Sequence, residues 1–169
     1  MRYIVASLVS PALASDLRQS YFQAFSKTCK VRTLHLTFIP PFTIDCPNTL
    51  FKIQETINQL PDTNHSFFFG QPGIFTVRDN RQVLYLPLKP AAPLQAIHQY
   101  ITDNLSSLIQ IETKNFKSDE IPEFLPHITL DYHFNQPDLN SYIPPADPFN
   151  LEMPRLLEER APGIWQPTD

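Results

Sequence analysis

The sequence predicts a mixed domain of strands and helices, on three observations. Three segments carry large apolar residues at helical spacing: Leu13, Leu17, Tyr21 and Phe25; Leu50, Ile53, Ile57 and Leu60; Leu94, Ile97, Ile101, Leu105 and Leu108. Short segments of strand length, rich in Val, Ile, Leu and Phe, run between them. One unit also occurs twice, a helical stripe followed later by an apolar strand that holds His-x-Thr. Its copies are Leu34-His35-Leu36-Thr37-Phe38 and Leu125-Pro126-His127-Ile128-Thr129-Leu130. A chain of 169 residues is most simply one domain, 1–169, long enough to bury a sizeable core.

Taken in order, the apolar run around Tyr3 reads as the first strand. It has no cleavage site of a signal peptide, and a cytoplasmic protein is expected. Ser10-Pro11 opens the first helix, with Ser as N-cap and Pro at the first helical position. Lys27, Lys30 and Arg32 form a small basic cluster, read as a solvated loop and otherwise as an attraction for an anionic substrate. The first motif strand is expected to end at Pro40-Pro41, which cannot donate ladder hydrogen bonds. A second helix spans Pro47 to Leu60 and stops at Pro61. Strands at Ser66–Phe69 and Ile74–Val77 flank a Gly70-Gln71-Pro72-Gly73 turn, with Phe67, Phe68 and Phe69 assigned to the core. Asp79-Asn80-Arg81 then turns the chain into a strand at Val83–Leu88, and a third helix runs from about Pro93 to Leu108 with His98 off its apolar stripe and exposed.

The polar stretch Lys114–Glu123 reads as a solvated loop, and alternatively as a flap that brings Lys114 or Lys117 to a phosphate. Asp131 and His133 share the parity of His127 if that strand stays regular, and Asp131 would then orient an imidazole or meet solvent at the strand end. Asn135 to Pro148 reads as a long surface loop, Leu151–Leu157 as the final strand, and Ala161 to Asp169 as a tail anchored by Trp165.

Composition narrows the function. A net charge of −4, from 13 basic and 17 acidic side chains, does not suit a protein that coats long nucleic acid through its phosphates. It does suit a local site for one terminal phosphate or a small nucleotide. No run approaches the roughly 18 apolar residues of a membrane span. Two cysteines, Cys29 and Cys46, make neither a disulfide framework nor a zinc site. No glycine-rich phosphate loop and no carboxylate–His helix motif is present, and His127 and His133 lie on one expected strand at a poor spacing for a metal; no metal and no cofactor are expected.

The twin motifs carry the chemistry. On a strand, residues i and i+2 share a face, so His35 and Thr37 look one way while Leu34, Leu36 and Phe38 look the other. His127 and Thr129 likewise stand opposite Ile128 and Leu130. Imidazole titrates near neutrality, and two of them on either side of a reacting bond serve as general base and general acid. Thr adds a hydroxyl on a side chain stiff at χ1, suited to holding non-bridging phosphate oxygens. A single His-x-Thr in a strand is ordinarily structural. Two copies in the same apolar frame point to function.

With those motifs the chain resembles the two-histidine (2H) phosphoesterase superfamily, in its 2′-5′ RNA ligase-like and cyclic phosphodiesterase branch. The similarity extends from the strand near Tyr3 to the late strand near Leu151–Leu157. The resemblance implies an α+β fold: two pseudo-symmetric lobes of antiparallel sheet with outer helices around a central cleft, one His-x-Thr from each lobe. It implies a metal-independent 2′,3′-cyclic phosphodiesterase acting on RNA ends or small cyclic nucleotides and giving a 2′-phosphate, together with reversible 2′-5′ RNA ligase activity on the same geometry. His35 and His127 would be catalytic, with His127 as base and His35 as acid, and Thr37 and Thr129 would hold the phosphate. The partners would be RNA ends or small nucleotides carrying a cyclic phosphate, with no membrane, and the protein a monomer. After the first motif the family strand runs on through a basic or aromatic residue to Gly, whereas here Ile39, the two prolines and Phe42 follow. A non-catalytic module that binds a nucleotide or RNA end on the same fold is the second reading.

Overall fold

Burying the apolar sides of both motif strands requires helices on one face of a sheet, and the chain delivers them in a repeated order. The computed structural model describes residues 1–44, 46–60, 65–77, 79–112, 123–135 and 138–168. β1 (Tyr3–Leu8), α1 (Pro11–Phe25) and β2 (His35–Thr43) form the first unit, and α2 (Pro47–Asn58) follows. β3 (Phe68–Phe69), β4 (Gly73–Thr76), β5 (Gln82–Lys89), α3 (Ala92–Leu105), β6 (Gln110–Ile111) and β7 (His127–Asp131) come next, then β8 (Arg155–Ala161) and β9 (Ile164–Pro167). The strands join in one curled antiparallel sheet, a half-barrel of order β3-β5-β7-β2-β1-β8-β9, with β4 beside β5 and β6 beside β2. The fold is α+β, as expected from the sequence. Among the described residues no helix is long and apolar enough to cross a membrane.

The two copies of the motif are two copies of a larger unit. β1–α1–β2 and β5–α3–β7 each run strand, helix, adjacent antiparallel strand, and each closes on a His-x-Thr. β2 and β7 meet back to back in the middle of the sheet, joined by one registered pair, Leu36 with Ile128. The two halves of the sheet are the two lobes, and this pair is the seam between them.

Local chemistry sets the helices. The Ser10 hydroxyl accepts from the Leu13 amide at 3.3 Å and Pro11 occupies the first turn; α1 ends where Ser26 takes a left-handed conformation, φ 51°. Leu13, Leu17 and Tyr21 of α1 and Leu94, Ile97, Ile101 and Leu105 of α3 are buried in one cluster with Leu34, Leu36, Phe38, Ile128 and Leu130. A second, smaller cluster of Ile4, Ala6, Leu157 and Trp165 lies on the opposite face of the sheet.

Several boundaries differ from those expected. β2 does not stop at Pro40-Pro41. Tyr3 pairs with Phe42 and Val5 with Ile39, so β2 places one residue more than β1 between these pairs; the prolines lie in this bulge, where a missing N–H leaves no partner unmet. The Pro41 carbonyl instead accepts from the Glu112 amide at 2.8 Å, beside the pairing of Phe42 and Thr43 with β6. Gly70 to Gly73 does not turn a hairpin either. β3 and β4 both pair with β5 along one edge, Phe69 with Leu88 and then Gly73 with Tyr85, and the Gly70 amide still reaches the Pro87 carbonyl at 2.8 Å. Along that edge Phe67 is buried while Phe68 turns outward, 47 % exposed.

The last strand is Arg155–Ala161 rather than Leu151–Leu157, and the expected tail is β9, paired with β8 around a turn that holds Gly163 at φ 72°. Only a glycine takes that conformation without strain. Trp165 is one residue of this hairpin, not a lone anchor. α2 and α3 end at Asn58 and Leu105, and His98 is half-buried because its ring stacks on Phe124 at 4.1 Å. Lys114 and Lys117, the whole of the expected flap except Glu123, and Pro61 lie outside the described residues.

The seam yields a stability prediction. Leu36 and Ile128 are both 0 % exposed. Leu36→Ala is expected to destabilise the fold by about 2–5 kcal/mol, the usual range for a large buried aliphatic residue cut to Ala. Phe51, 73 % exposed on α2, serves as control: Phe51→Ala should stay within about 0.5 kcal/mol. Urea denaturation midpoints read the difference, and equal midpoints for the two variants would contradict the seam.

Candidate active site

Parity places the motif residues. With Leu36 opposite Ile128 and both directed into the core, the residues on either side go to the other face. The register sets Thr129 across from His35 and His127 across from Thr37. The four side chains make a small chequerboard, each histidine beside a threonine of the other strand. Diagonal positions on an antiparallel pair have Cβ atoms about 7 Å apart, room for a phosphorus centre between two rings. The structure thus brings together His35, Thr37, His127 and Thr129, all half-buried.

Both imidazoles are held the same way. The Nδ1 of His35 lies 2.7 Å from the Thr33 carbonyl, and that of His127 lies 2.6 Å from the Leu125 carbonyl. A carbonyl only accepts, so each Nδ1 carries the hydrogen, and the neutral ring presents Nε2 as a lone pair. Each contact reaches back two residues along the chain, so strand geometry alone fixes the ring. Burial lowers both pKa values below the ordinary 6.5, with the carbonyl contacts opposing; the charge of His127 lowers His35 further. In the free protein both rings are therefore mostly neutral at pH 7.

The flanks differ. Beside His127, Phe75 and Tyr85 stack at 4.0 Å, and both meet the imidazole edge-to-face at 5.0 and 5.4 Å. Tyr85 lies over Gly73, where a Cβ would fall 2.4 Å from the Tyr85 hydroxyl oxygen, so this ring position needs a glycine across the strand. Tyr132, 44 % exposed, shares a hydrogen bond with Thr129 through their side chains. On the His35 side the Trp165 amide donates to the Thr33 hydroxyl at 3.4 Å, and the Thr33 carbonyl in turn holds His35.

Other candidates from the sequence fall elsewhere. Asp131 does not orient an imidazole: the pairing of β7 with β5 shifts register between Leu84 and Tyr85, the strand ends, and the carboxylate takes the Tyr21 hydroxyl at 2.6 Å and the His133 amide at 2.8 Å. His133 sits in the turn that follows. Lys27 is bonded to Asn135 at 2.9 Å, and Lys30 and Arg32 are exposed. Among the described residues no group of three or more His, Cys, Asp or Glu side chains is arranged to hold a metal ion. Two grooves, of about 590 and 430 Å³, are lined by neither His35 nor His127: one lies between Pro40, His98 and Phe124, the other between Asn58, Met153 and Pro167.

Sequence reasoning missed Phe75, Tyr85 and Tyr132. The pairing of a tyrosine with Gly73 was readable only once β4 was known to lie against β5. Tyr132 has the wrong parity on a regular strand, and the turn at Tyr132-His133 brings it back.

No family model, no curated protein and no solved structure matches this chain. What the site does has to be argued from its geometry.

The depressed pKa values have a checkable sign. A histidine whose folded pKa lies below its unfolded value binds fewer protons when folded, so its contribution to stability is present above about pH 6.5 and is lost as pH falls through the folded pKa. Of the 5 histidines, His35, His127 and the ring-stacked His98 should show this in NMR titrations of the ring Cε1–H signals. Inorganic phosphate should raise His35 and His127, because an anion favours the charged ring, and leave His98 unmoved. Titration of His35 and His127 at 6.5 or above in the free protein would contradict it.

Proposed function

We propose that this protein hydrolyses 2′,3′-cyclic phosphodiesters, on RNA ends or small nucleotides, without a metal. One observation carries the reading: two imidazoles, each tied at Nδ1 to a carbonyl two residues back, stand with two threonine hydroxyls between them on one face. A purely structural histidine has no need of a counterpart held the same way in the matching strand.

In the reaction one neutral imidazole takes a proton from water as the oxygen bonds to phosphorus. The other, protonated, gives its Nε2 proton to the departing 3′ oxygen, which leaves with the bonding pair, and a 2′-phosphate remains. Thr37 and Thr129 hold the non-bridging oxygens, where charge grows in the transition state. With a 5′ hydroxyl in place of water, its proton passing to the same base and the 3′ oxygen again leaving, the same steps join the 2′ phosphate to that 5′ oxygen. The substrate anion also supplies what the free site lacks, since it raises the pKa of a ring that must start protonated.

Incubation with RNA ending in a 2′,3′-cyclic phosphate, in the presence of a chelator, tests this directly. Turnover to a 2′-phosphate is expected. His35→Ala or His127→Ala should each lower turnover by about 10²–10⁴, and Thr37→Ala or Thr129→Ala by about 10–10³. Thr→Ser, which keeps the hydroxyl, should retain most activity. The plot of kcat/KM against pH should be a bell centred below about 6.5, because it reports the two depressed groups of the free enzyme. The kcat bell should lie higher. Tight binding of the cyclic phosphate without turnover would instead establish the binding-module reading, and parent rates in both folded histidine variants would end the two-histidine mechanism.

A further inference from the structure

The pseudo-twofold makes the two imidazoles equivalent in their own strands, so any difference in their roles comes from the strands beyond. Ala6 faces Thr37 across β1 and β2, and Tyr85 faces Thr129 across β5 and β7. These are matching positions, one small and one large. Past Ala6 the histidine face is filled: Ile4, Leu157 and Trp165 close over it, with Leu8 packed alongside, and the Arg2 guanidinium lies 5.9 Å from the Trp165 ring centre. Trp165 is left 9 % exposed. At the other end, among the described residues, Gly73 gives the place of a side chain to the Tyr85 ring, and the Phe75–Tyr85 pair stays half-buried with an aromatic edge against His127.

A cyclic phosphate on a nucleoside has two unlike ends. The phosphate must sit between the histidines, and the ribose and base must extend to one side. Among the described residues, the Phe75–Tyr85 end keeps its π surface half-exposed whereas Trp165 at the other end is buried, and bases stack on aromatic side chains whatever their identity. From this we propose that the nucleobase lies at the Phe75–Tyr85 end, so that His127 is the acid that protonates the departing ribose oxygen and His35 the base that activates water. This rests on the cyclic-phosphodiester reading and deepens it. It is also the opposite of the assignment made from the sequence.

The direction follows from in-line displacement. The water oxygen approaches phosphorus from the side away from the P–O bond that breaks. With the ribose on the His127 side, that approach is from His35. The water proton passes to Nε2 of His35; the bond to the 3′ oxygen breaks, its electron pair stays on that oxygen, and the Nε2 proton of His127 joins it. The products are a 2′-phosphate and a free 3′ hydroxyl, and one water is consumed. His35 and His127 then exchange protons with solvent.

The test compares uridine 2′,3′-cyclic phosphate with ribose 2′,3′-cyclic phosphate, which lacks the base. The parent protein should favour the uridine compound by about 10- to 100-fold in kcat/KM. Tyr85→Leu and Phe75→Leu should remove most of that preference, read as the ratio of the two kcat/KM values. Equal losses on both substrates would mean that the pair only steadies His127, and the base subsite would be wrong while the phosphodiesterase reading stood. A parent protein with no preference between the two compounds would overturn the base subsite in the same way. If neither substrate is turned over, the phosphodiesterase reading fails and this one with it. For the roles, a uridine cyclic phosphate with sulfur at the bridging 3′ position has a leaving group that needs little protonation. It should restore most activity to His127→Ala and none to His35→Ala. Rescue of His35→Ala alone would overturn the assignment.

Discussion

One cross-strand pair holds this molecule's two halves in register. Leu36 and Ile128 are the residues through which β2 and β7 meet, and both are fully buried. Because strand side chains alternate with a period of two, burying this pair forces His35, Thr37, His127 and Thr129 onto the opposite face. A slip of one residue in either strand would drive that strand's imidazole into the apolar core and expose its large aliphatic residue at the seam. The core energetics therefore police the geometry of the candidate site. The bulges in β2 and β7 lie outside the seam, between Tyr3 and Val5 and between Val5 and Ala6 on one side, and between Leu84 and Tyr85 on the other. They bend the flanking strands without disturbing the four residues at the centre.

The same economy appears in how each ring is held. A neighbouring side chain could be lost or could move, but the carbonyls of Thr33 and Leu125 belong to the strands that carry the rings. The contact fixes the tautomer and the ring orientation without a carboxylate partner. That has an electrostatic consequence. A carboxylate at Nδ1 would stabilise the cation, whereas a carbonyl opposes the effect of burial only in part, and both pKa values stay below the ordinary one. The carboxylate placed to do otherwise, Asp131, is engaged by Tyr21 from the helix side of the sheet.

What could be read from the sequence was whatever depends on local periodicity. The helical stripes, the Ser10-Pro11 start and the parity of both His-x-Thr strands are properties of short windows, and the structure shows them as expected. What could not be read depends on which strand lies next to which. Pro40 and Pro41 look like a strand end until a bulge opposite β1 removes the demand for their missing donors. Gly70 to Gly73 looks like a hairpin turn until β5 is seen to accept both β3 and β4 on one edge. Trp165 looks like a tail residue until β9 pairs with β8. In each case a long-range partner overrides a sound local rule. The aromatic flank belongs to the same class, since Phe75 and Tyr85 are distant in sequence from His127 and reach it only through the β4–β5–β7 pairing.

Symmetry then poses a problem that the asymmetry of the flanks resolves. Two equivalent units give two equivalent imidazoles, and an unadorned twofold site would hold a phosphate equally well in either direction. Hydrolysis has a direction, because the oxygen that arrives and the oxygen that leaves need opposite proton transfers. The direction cannot come from the motif strands, where His-x-Thr is matched by His-x-Thr and carbonyl by carbonyl. It has to come from the neighbouring strands, and there the two units part: Leu8 and Ala6 on β1 against Pro87 and Tyr85 on β5. Among the described residues the β8–β9 hairpin covers one end with Trp165, while at the other the glycine of β4 makes room for the Tyr85 ring. On the proposed reading, the repeated unit would supply the matched pair of proton carriers, and the unlike strands at the sheet edges would decide which of them gives and which takes.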